Sequence, residues 1–463
     1  MKDMTLLKVA AVCKGTYFGP EEQKEREVAG VVIDSRQVEE GYLYIPIIGE
    51  RVDGHAFISQ VFEKGAAAVL SMKKLDTNQP YILVEDTKQA LKDLAAFYLE
   101  ATGVKVVGIT GSVGKTSTKE LIAAGLSTRF CVLKTEANFN NEIGLPLTVF
   151  RIRPEHEVAI LEMGIDSFGE MHRLAAIAKP DIVVMTNIGT CHLENLHDRD
   201  GVLKAKSEIF DFLSKDGAVV LNGDDDKLQT IQDVHGIKPL FFGVDSRQRF
   251  FADHIKNMGF AGTNANLYVD DKCINVTIPL PGIHMVYNAL AALAVGTVLG
   301  MTMEEIKAGI ESVQSIKGRV HLIHTESLTI MDDCYNANPM SMKSSIDILK
   351  SQECKRRVCI LGDMFELGEA EEKLHYEVGE HAAKADLDVY ICVGTLSRNT
   401  QKALAEAGKN VFYFETLERA MNTIPGLLKK GDTIIVKASH GMQFTKVVDM
   451  LENLTLEENT DEV

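Results

Sequence analysis

The sequence predicts an α/β protein of three domains. The predicted parts are a central P-loop domain with a doubly wound parallel sheet, a C-terminal Rossmann-like α/β domain and a small N-terminal α/β domain. Three observations carry this. From about residue 104 onward, short β-rich apolar runs alternate with helical stretches, the signature of βαβ units. One of these runs opens into a glycine-rich loop, GITGSVGKTST at 108–118, which leads into a helix. The chain has 463 residues, and at about 150 residues per domain that length accommodates three.

The central strands are VKVVGIT (core 105–110), EVAILEM (157–163), DIVVMTN (181–187) and GAVVLN (217–222). Each is a nearly continuous apolar run bounded by Gly, Asp or Asn, as expected of parallel strands covered on both faces. KTSTKELIAAGLSTRF and RDGVLKAKSEIFDFL supply helices between them. A second series follows residue 318, with strands SLTIMDD (327–333), RVCILGD (357–363), DVYICVG (388–394) and DTIIVKAS (432–439) and a charged helix, EAEEKLHYEVGEHAAKA. The link SIKGRV (315–320) follows the helix MEEIKAGIESV and carries Gly318, so a boundary falls there. In the first hundred residues VVIDSR, YLYIPI, AAAVL and YILVED read as short strands, and KQALKDLAAFYLEATG reads as one long amphipathic helix. The expected domains are 1–100, 101–316 and 317–463. The acidic last eight residues, 456–463, are expected to fray.

Composition removes several function classes. With 45% hydrophobic and 25% charged residues the chain is ordinary for a globular protein. Its net charge of −17 argues against a nucleic-acid partner or an anionic membrane surface. The N-terminus is too polar for a secretory signal, and no run approaches the ~18 apolar residues of a membrane span. Eight scattered cysteines form no Cys-x-x-Cys pair, which suits reduced thiols in a cytoplasmic protein.

The loop at 108–118 has the context a phosphate site requires. Gly111 and Gly114 let backbone N–H groups of Ser112, Val113 and the helix start turn toward an anion. Lys115 brings a point charge, the Thr116 hydroxyl offers a ligand for Mg²⁺, and Ser117 continues the helix N-terminus. The glycine spacing departs from the standard Walker pattern, with Gly108 as the early glycine and Ile109 after it. Sites in open α/β sheets lie beyond the carboxyl ends of strands, where Glu162 and His192 both fall. Singly, Glu162 reads as a solvated strand-end carboxylate and His192 as a structural histidine. Together, beside Lys115 and Thr116, they read as metal ligands, with Mg²⁺ the default for phosphoryl transfer.

The segments 108–118, ANFNNEIGLP (137–146), EMG (162–164), NIGTCHLE (187–194), AKSEIF (205–210), NGDDD (222–226), GIHMVYNALAALA (282–294), GR (318–319) and DDCYNANP (332–339) stand in the order found in the Mur ligases. The chain thus resembles that family of ATP-dependent enzymes, which add amino acids in peptidoglycan synthesis. DSR (34–36), YIPIIGERVDGHAFI (44–58) and LGDMFELG (361–368) resemble the branch that joins D-alanyl-D-alanine to UDP-N-acetylmuramoyl-tripeptide. KASHGM (437–442) departs from the family pattern, with Ala438 for glycine and His440 for arginine.

The resemblance implies ligation through an acyl phosphate, giving ADP and phosphate, and two Mg²⁺ ions. One ion would lie between Thr116, Glu162 and the ATP phosphates; the second would use His192 and a carbamylated Lys206. It implies ATP contacts from Asn288, Arg319, Asp333, Tyr335 and Asn336. Ser35, Arg36, Asp53 and His55 would hold the UDP-sugar end, Asn138, Asn140 and Asn141 would offer amides near the substrate and phosphates, and Asp363 and Glu366 would orient the dipeptide ammonium. Three domains contributing to one site imply that the C-terminal domain closes over the nucleotide, and a monomer is expected. By sequence alone Lys206 is a helix lysine, Asn288 a capping or surface amide, and DSR a strand-end turn. Another ligase of the superfamily, such as a tripeptide-forming Mur ligase or a folylpolyglutamate synthase, and a P-loop regulatory NTPase are the alternatives.

Overall fold

A computed structural model describes residues 1, 3–245 and 247–457. The chain forms three sheets with helices packed against them.

The central sheet has nine strands. Their order is Lys272–Ile278, Thr263–Val269, Phe250–Asn257, Leu240–Gly243, Ala218–Asn222, Ile182–Met185, Lys105–Thr110, Val158–Glu162 and Val132–Lys134. Pairing is parallel from Val132–Lys134 through Phe250–Asn257, and the last two strands add antiparallel. Strand Lys105–Thr110 sits between Val158–Glu162 and Ile182–Met185, so the loop that follows it emerges with Glu162 and Thr186 on either side. The apolar helix His284–Val298 and the helix Lys115–Leu126 share a core with the far side of this sheet.

Each predicted central strand is present. The antiparallel pair Thr263–Val269 and Lys272–Ile278 was not read from the sequence. Its first strand buries alternate residues, but the outward ones are Asn264, Asn266 and Tyr268, and the inward Thr263 and Ala265 are small or polar. Such a half-polar ribbon gives no apolar run.

The C-terminal sheet has six strands, ordered His321–His324, Thr329–Asp332, Asp432–Lys437, Arg356–Gly362, Val389–Val393 and Val411–Phe414, parallel except for the first. The N-terminal sheet has five short strands, Thr16–Phe18, Tyr81–Leu83, Ala68–Ser71, Tyr42–Tyr44 and Gly30–Val32, with only the first pairing antiparallel.

The helix Thr87–Thr102 joins the N-terminal sheet to the centre. Asp86 caps its start by accepting from the N–H groups of Lys88 and Gln89, and Gly103 ends it at φ 69°. Its buried Leu91, Leu94 and Tyr98 belong to a core that runs from Leu6 and Val9 on one side to Phe150 and Ile152 on the other. The Tyr98 hydroxyl donates to the Ile152 carbonyl at 2.8 Å.

Of the tail expected to fray, 458–463 lies outside the described residues. Leu456 is tied down, its N–H donating to Ser327 Oγ at 3.0 Å.

Candidate active site

The loop 111–114 is held open by its neighbours. Gly111 at φ 148° passes so close to Thr186 that a Cβ would lie 2.0 Å from Thr186 Oγ1, so only glycine fits. Thr186 Oγ1 and Asn187 Nδ2 donate to the Val113 carbonyl at 2.6 and 3.0 Å, and Val113 N–H donates to Asn187 Oδ1 at 2.9 Å. Ser112 N–H donates to the Asn187 carbonyl, and Ser112 Oγ accepts from Gly189 N–H at 2.8 Å. Gly114, at φ 82°, starts the helix Lys115–Leu126, whose free N–H groups and dipole favour an anion. Lys115 Nζ donates to the Gly111 carbonyl at 2.9 Å, poised over the loop.

One turn into the helix, Thr116 Oγ1 donates to Glu162 Oε2 at 3.1 Å, and Asn140 Nδ2 donates to Oε1 at 3.0 Å. Glu162 is 2% exposed. A charge so deep needs a counter-charge, and Lys119 supplies it. Also 2% exposed, Lys119 places Nζ 3.8 Å from Glu162 Oε2 and 2.6 Å from the Thr135 carbonyl. Sequence reading gave Lys119 no role; the available signal was its i+3 spacing from Thr116, which puts both on one helix face.

A cavity of about 790 Å³ opens above the loop, within the range of small-molecule sites. The central sheet lines it with Ser112 to Ser117, Asn138, Asn140, Asn141, Glu162 and His192, and the helix His284–Val298 adds Asn288. The C-terminal sheet lines the opposite wall with Arg319, Asp333, Tyr335, Asn336 and Lys437. Asn288 is buried, and Thr118 Oγ1 donates to its Oδ1 at 2.8 Å. The Arg319 guanidinium stacks 4.0 Å above the Tyr335 ring, which orients it without neutralising it.

Asp333 Oδ2 accepts from Lys437 Nζ at 2.6 Å and from Ser345 Oγ; Oδ1 accepts from Val320 N–H at 3.2 Å. Lys437 also donates to the Asn336 carbonyl at 3.1 Å. The lysine of the aberrant KASHGM segment thus braces two cavity residues from behind. Ala438 is fully buried, and the His440 ring lies 5.8 Å from that of Tyr335.

Other predicted residues are placed differently. Asn141 Oδ1 accepts from the N–H groups of Ile143 and Gly144 at the start of the helix Gly144–Val149. Asp363 is buried, and its Oδ1 takes both the N–H and the hydroxyl of Ser397, at 2.7 and 2.6 Å. Ser35 and Arg36 lie in the short 3-10 helix Ser35–Gln37, Asp53 caps the 3-10 helix Gly54–Phe57 and His55 lies within it, all in the N-terminal unit outside this cavity. Arg36 is paired with Asp34 at 2.7 Å, which draws the Asp34 carboxyl down to about 2. His55 has both ring nitrogens engaged, Nδ1 with Asp53 at 2.7 Å and Nε2 with Met72 N–H at 3.2 Å. Glu366 reaches the central unit, with Oε2 2.7 Å from His192 Nδ1.

Lys206, on the helix Arg199–Ser207, is 1% exposed, and its side-chain amine forms no hydrogen bond or ion pair among the described residues. Burial, with Lys115 acting in the same direction, draws its amine down to about 8.

A strand, phosphate loop and helix facing a second α/β unit across one cavity define a class: a nucleotide-using P-loop enzyme whose site is shared between two units. The relatives narrow it. The profile of the Mur ligase family catalytic domain matches residues 27–99, that of the Mur ligase middle domain 109–296, and that of the Mur ligase glutamate ligase domain 318–440. The UDP-N-acetylmuramoyl-tripeptide–D-alanyl-D-alanine ligase of Bacillus subtilis is 38% identical, covering 97% of this chain and 98% of its own. The structure of MurF from Acinetobacter baumannii superposes with a TM-score of 0.88 at 30% identity, covering 97% of this chain and 99% of the other. MurF ligase from Thermotoga maritima, solved in complex with ADP, superposes with a TM-score of 0.80 at 29% identity, covering 91% and 97%. The chain belongs to the Mur ligase family.

Proposed function

We propose that this chain is an ATP-dependent, ADP-forming ligase that joins D-alanyl-D-alanine to UDP-N-acetylmuramoyl-tripeptide in the synthesis of peptidoglycan precursors. The observation that carries the proposal is the single cavity with Lys115 on one wall and Arg319 and Asp333 on the other. A regulatory switch has no need of the second wall.

The reaction needs two anions, a substrate carboxylate and the γ-phosphate, to meet. A carboxylate oxygen attacks phosphorus, ADP leaves, and an acyl phosphate forms. The dipeptide amine then attacks the acyl carbon and loses a proton, and phosphate departs. Lys115 and Arg319 offset the charge that builds up on the phosphates. Asp333, held by Lys437, accepts from ribose hydroxyls, and Asn288 and Tyr335 shape the nucleotide pocket. Water is excluded by apposition of the two walls.

The donor set suits magnesium. Thr116 Oγ1 and Glu162 Oε2 offer oxygens 3.1 Å apart beside the phosphate loop, and His192 stands on the same cavity. Thr116 and Glu162 would hold one ion, and His192 with Lys206 a second. When bound, the ions neutralise phosphate charge and orient the transferring group. Lys206 fits carbamylation because a buried, unpaired amine drawn down to about 8 is partly neutral near pH 7, and the neutral amine takes up CO₂. Residues 1–100 would hold the UDP end, 101–316 the ATP, and 317–463 would close over both and present the dipeptide. No described helix is long and apolar enough to cross a membrane. The proposal places the enzyme in the cytoplasm as a monomer.

The test is isotopic. Substrate labelled with ¹⁸O in the tripeptide carboxylate should pass one labelled oxygen to inorganic phosphate. Unlabelled phosphate, with peptide formed, would rule out the acyl phosphate.

A further inference from the structure

We propose that Glu366, from the C-terminal unit, is a ligand of the cation at His192, so that this cation bridges the two units and holds them closed. The proposal rests on the reading of His192 as a metal ligand given above.

Asp166 Oδ1, His192 Nδ1 and Glu366 Oε2 all lie within 4.8 Å of one another. From His192 Nδ1 the separations are 3.2 Å to Asp166 and 2.7 Å to Glu366. Neighbouring ligands on an octahedral ion with bonds of about 2.1 Å stand roughly 3.0 Å apart, so these separations bracket that edge. The three side chains come from three loops. Asp166 follows the strand Val158–Glu162, His192 follows Ile182–Met185, and Glu366 follows Arg356–Gly362 in the other sheet.

The spacing is imposed by the backbone. His192 has φ 51° and Glu366 φ 63°, left-handed conformations that cost a non-glycine residue about 1 kcal/mol or more. The loop before Glu366 is pinned: Met364 N–H donates to His375 Nε2 and Phe365 N–H to Ser439 Oγ, each at 2.9 Å. Across the interface, a Cβ on Gly368 would touch the Glu194 backbone at 3.5 Å.

Asp166 and Glu366 bring two negative charges beside a neutral imidazole, and a carbamate on Lys206 would add a third, a donor set that favours a divalent cation. Asp166 is also among the charges acting on Lys206, the buried amine without a hydrogen bond. One nitrogen with carboxylate oxygens suits Mg²⁺ and Mn²⁺.

Mn²⁺ is the probe. Its binding to the full chain is counted by electron paramagnetic resonance with a non-hydrolysable ATP analogue present, and compaction is followed by small-angle scattering. Glu366→Gln should weaken one of two Mn²⁺ sites by at least about tenfold and abolish the Mn²⁺-dependent compaction. If Glu366→Gln binds both ions as the parent does while His192→Ala loses one, His192 is a ligand and the bridge is wrong. If His192→Ala keeps both ions, the underlying reading fails as well. Tighter Mn²⁺ binding in Glu366→Gln would make Glu366 a competitor of the metal and overturn the proposal.

Discussion

Lys206 is a lysine whose burial shifts its amine toward the neutral form. Its surroundings offer no hydrogen bond among the described residues, and its amine is drawn down to about 8. Lys206→Ala should therefore abolish most ligation while leaving the fold intact, since no ion pair is broken. Added short carboxylic acids should restore part of the activity by supplying the missing oxygen anion, as measured by phosphate release with and without acetate. Full activity in the unsupplemented variant would remove Lys206 from the mechanism. Residues of this kind mark the limit of sequence reading. Lys119, Lys206 and Lys437 are all buried, yet each looks like a surface lysine in its local sequence. Tertiary packing buries them, and only Lys206 and Lys437, which stand in recognisable motifs, drew any attention. Lys115, Thr116 and Glu162 were legible because a loop and a strand end fix them locally. Asp363 and Glu366, three positions apart, show the opposite. One turns inward to cap Ser397, and the other crosses to His192.

At the scale of elements, helix packing gives a sharp test. The helices Met303–Glu311 and Lys115–Leu126 meet at Gly309, where a Cβ would lie 2.1 Å from the Ala124 carbonyl oxygen and 2.6 Å from Gly125 Cα. Gly→Ala in a free helix is favourable by about 0.5–1 kcal/mol. Here overpacking against backbone, typically 1–3 kcal/mol, wins. Gly309→Ala should lower stability in denaturant unfolding by about 1 kcal/mol or more, and a neutral or stabilising result would refute this contact.

The helix Glu371–Ala385 carries a second test. His375 is buried, donates from Nδ1 to the Glu371 carbonyl at 2.7 Å and accepts Met364 N–H, and burial lowers its pKa. Burial lowers that of His284 too. Both are held neutral in the fold but protonate in the unfolded chain near pH 6.5. Below that value the unfolded chain binds more protons, so their contribution, complete above pH 6.5, is lost on acidification. The urea midpoint should fall between about pH 7.5 and about pH 5.5, and fall less in His375→Gln. An equal fall in parent and variant would contradict the assignment.

Across the whole molecule, two sheets were legible as alternating apolar runs, and the N-terminal one through its short strands and single long helix. Thr16–Phe18 and Val132–Lys134 were missed because each is only partly buried and mixes polar with apolar residues, so it makes no apolar run. How the C-terminal sheet faces the phosphate loop is set by the packing of distant parts, which no local pattern encodes. That apposition brings Arg319 and Asp333 to the cavity of Lys115, and it underlies the claim that phosphoryl transfer is tied to an acceptor amine. Phosphate release from ATP, with UDP-N-acetylmuramoyl-tripeptide and each candidate amine in turn, tests that claim most directly. Release should require D-alanyl-D-alanine and remain at background with single amino acids or glutamate. Turnover indifferent to the amine, or driven by glutamate, would contradict the account.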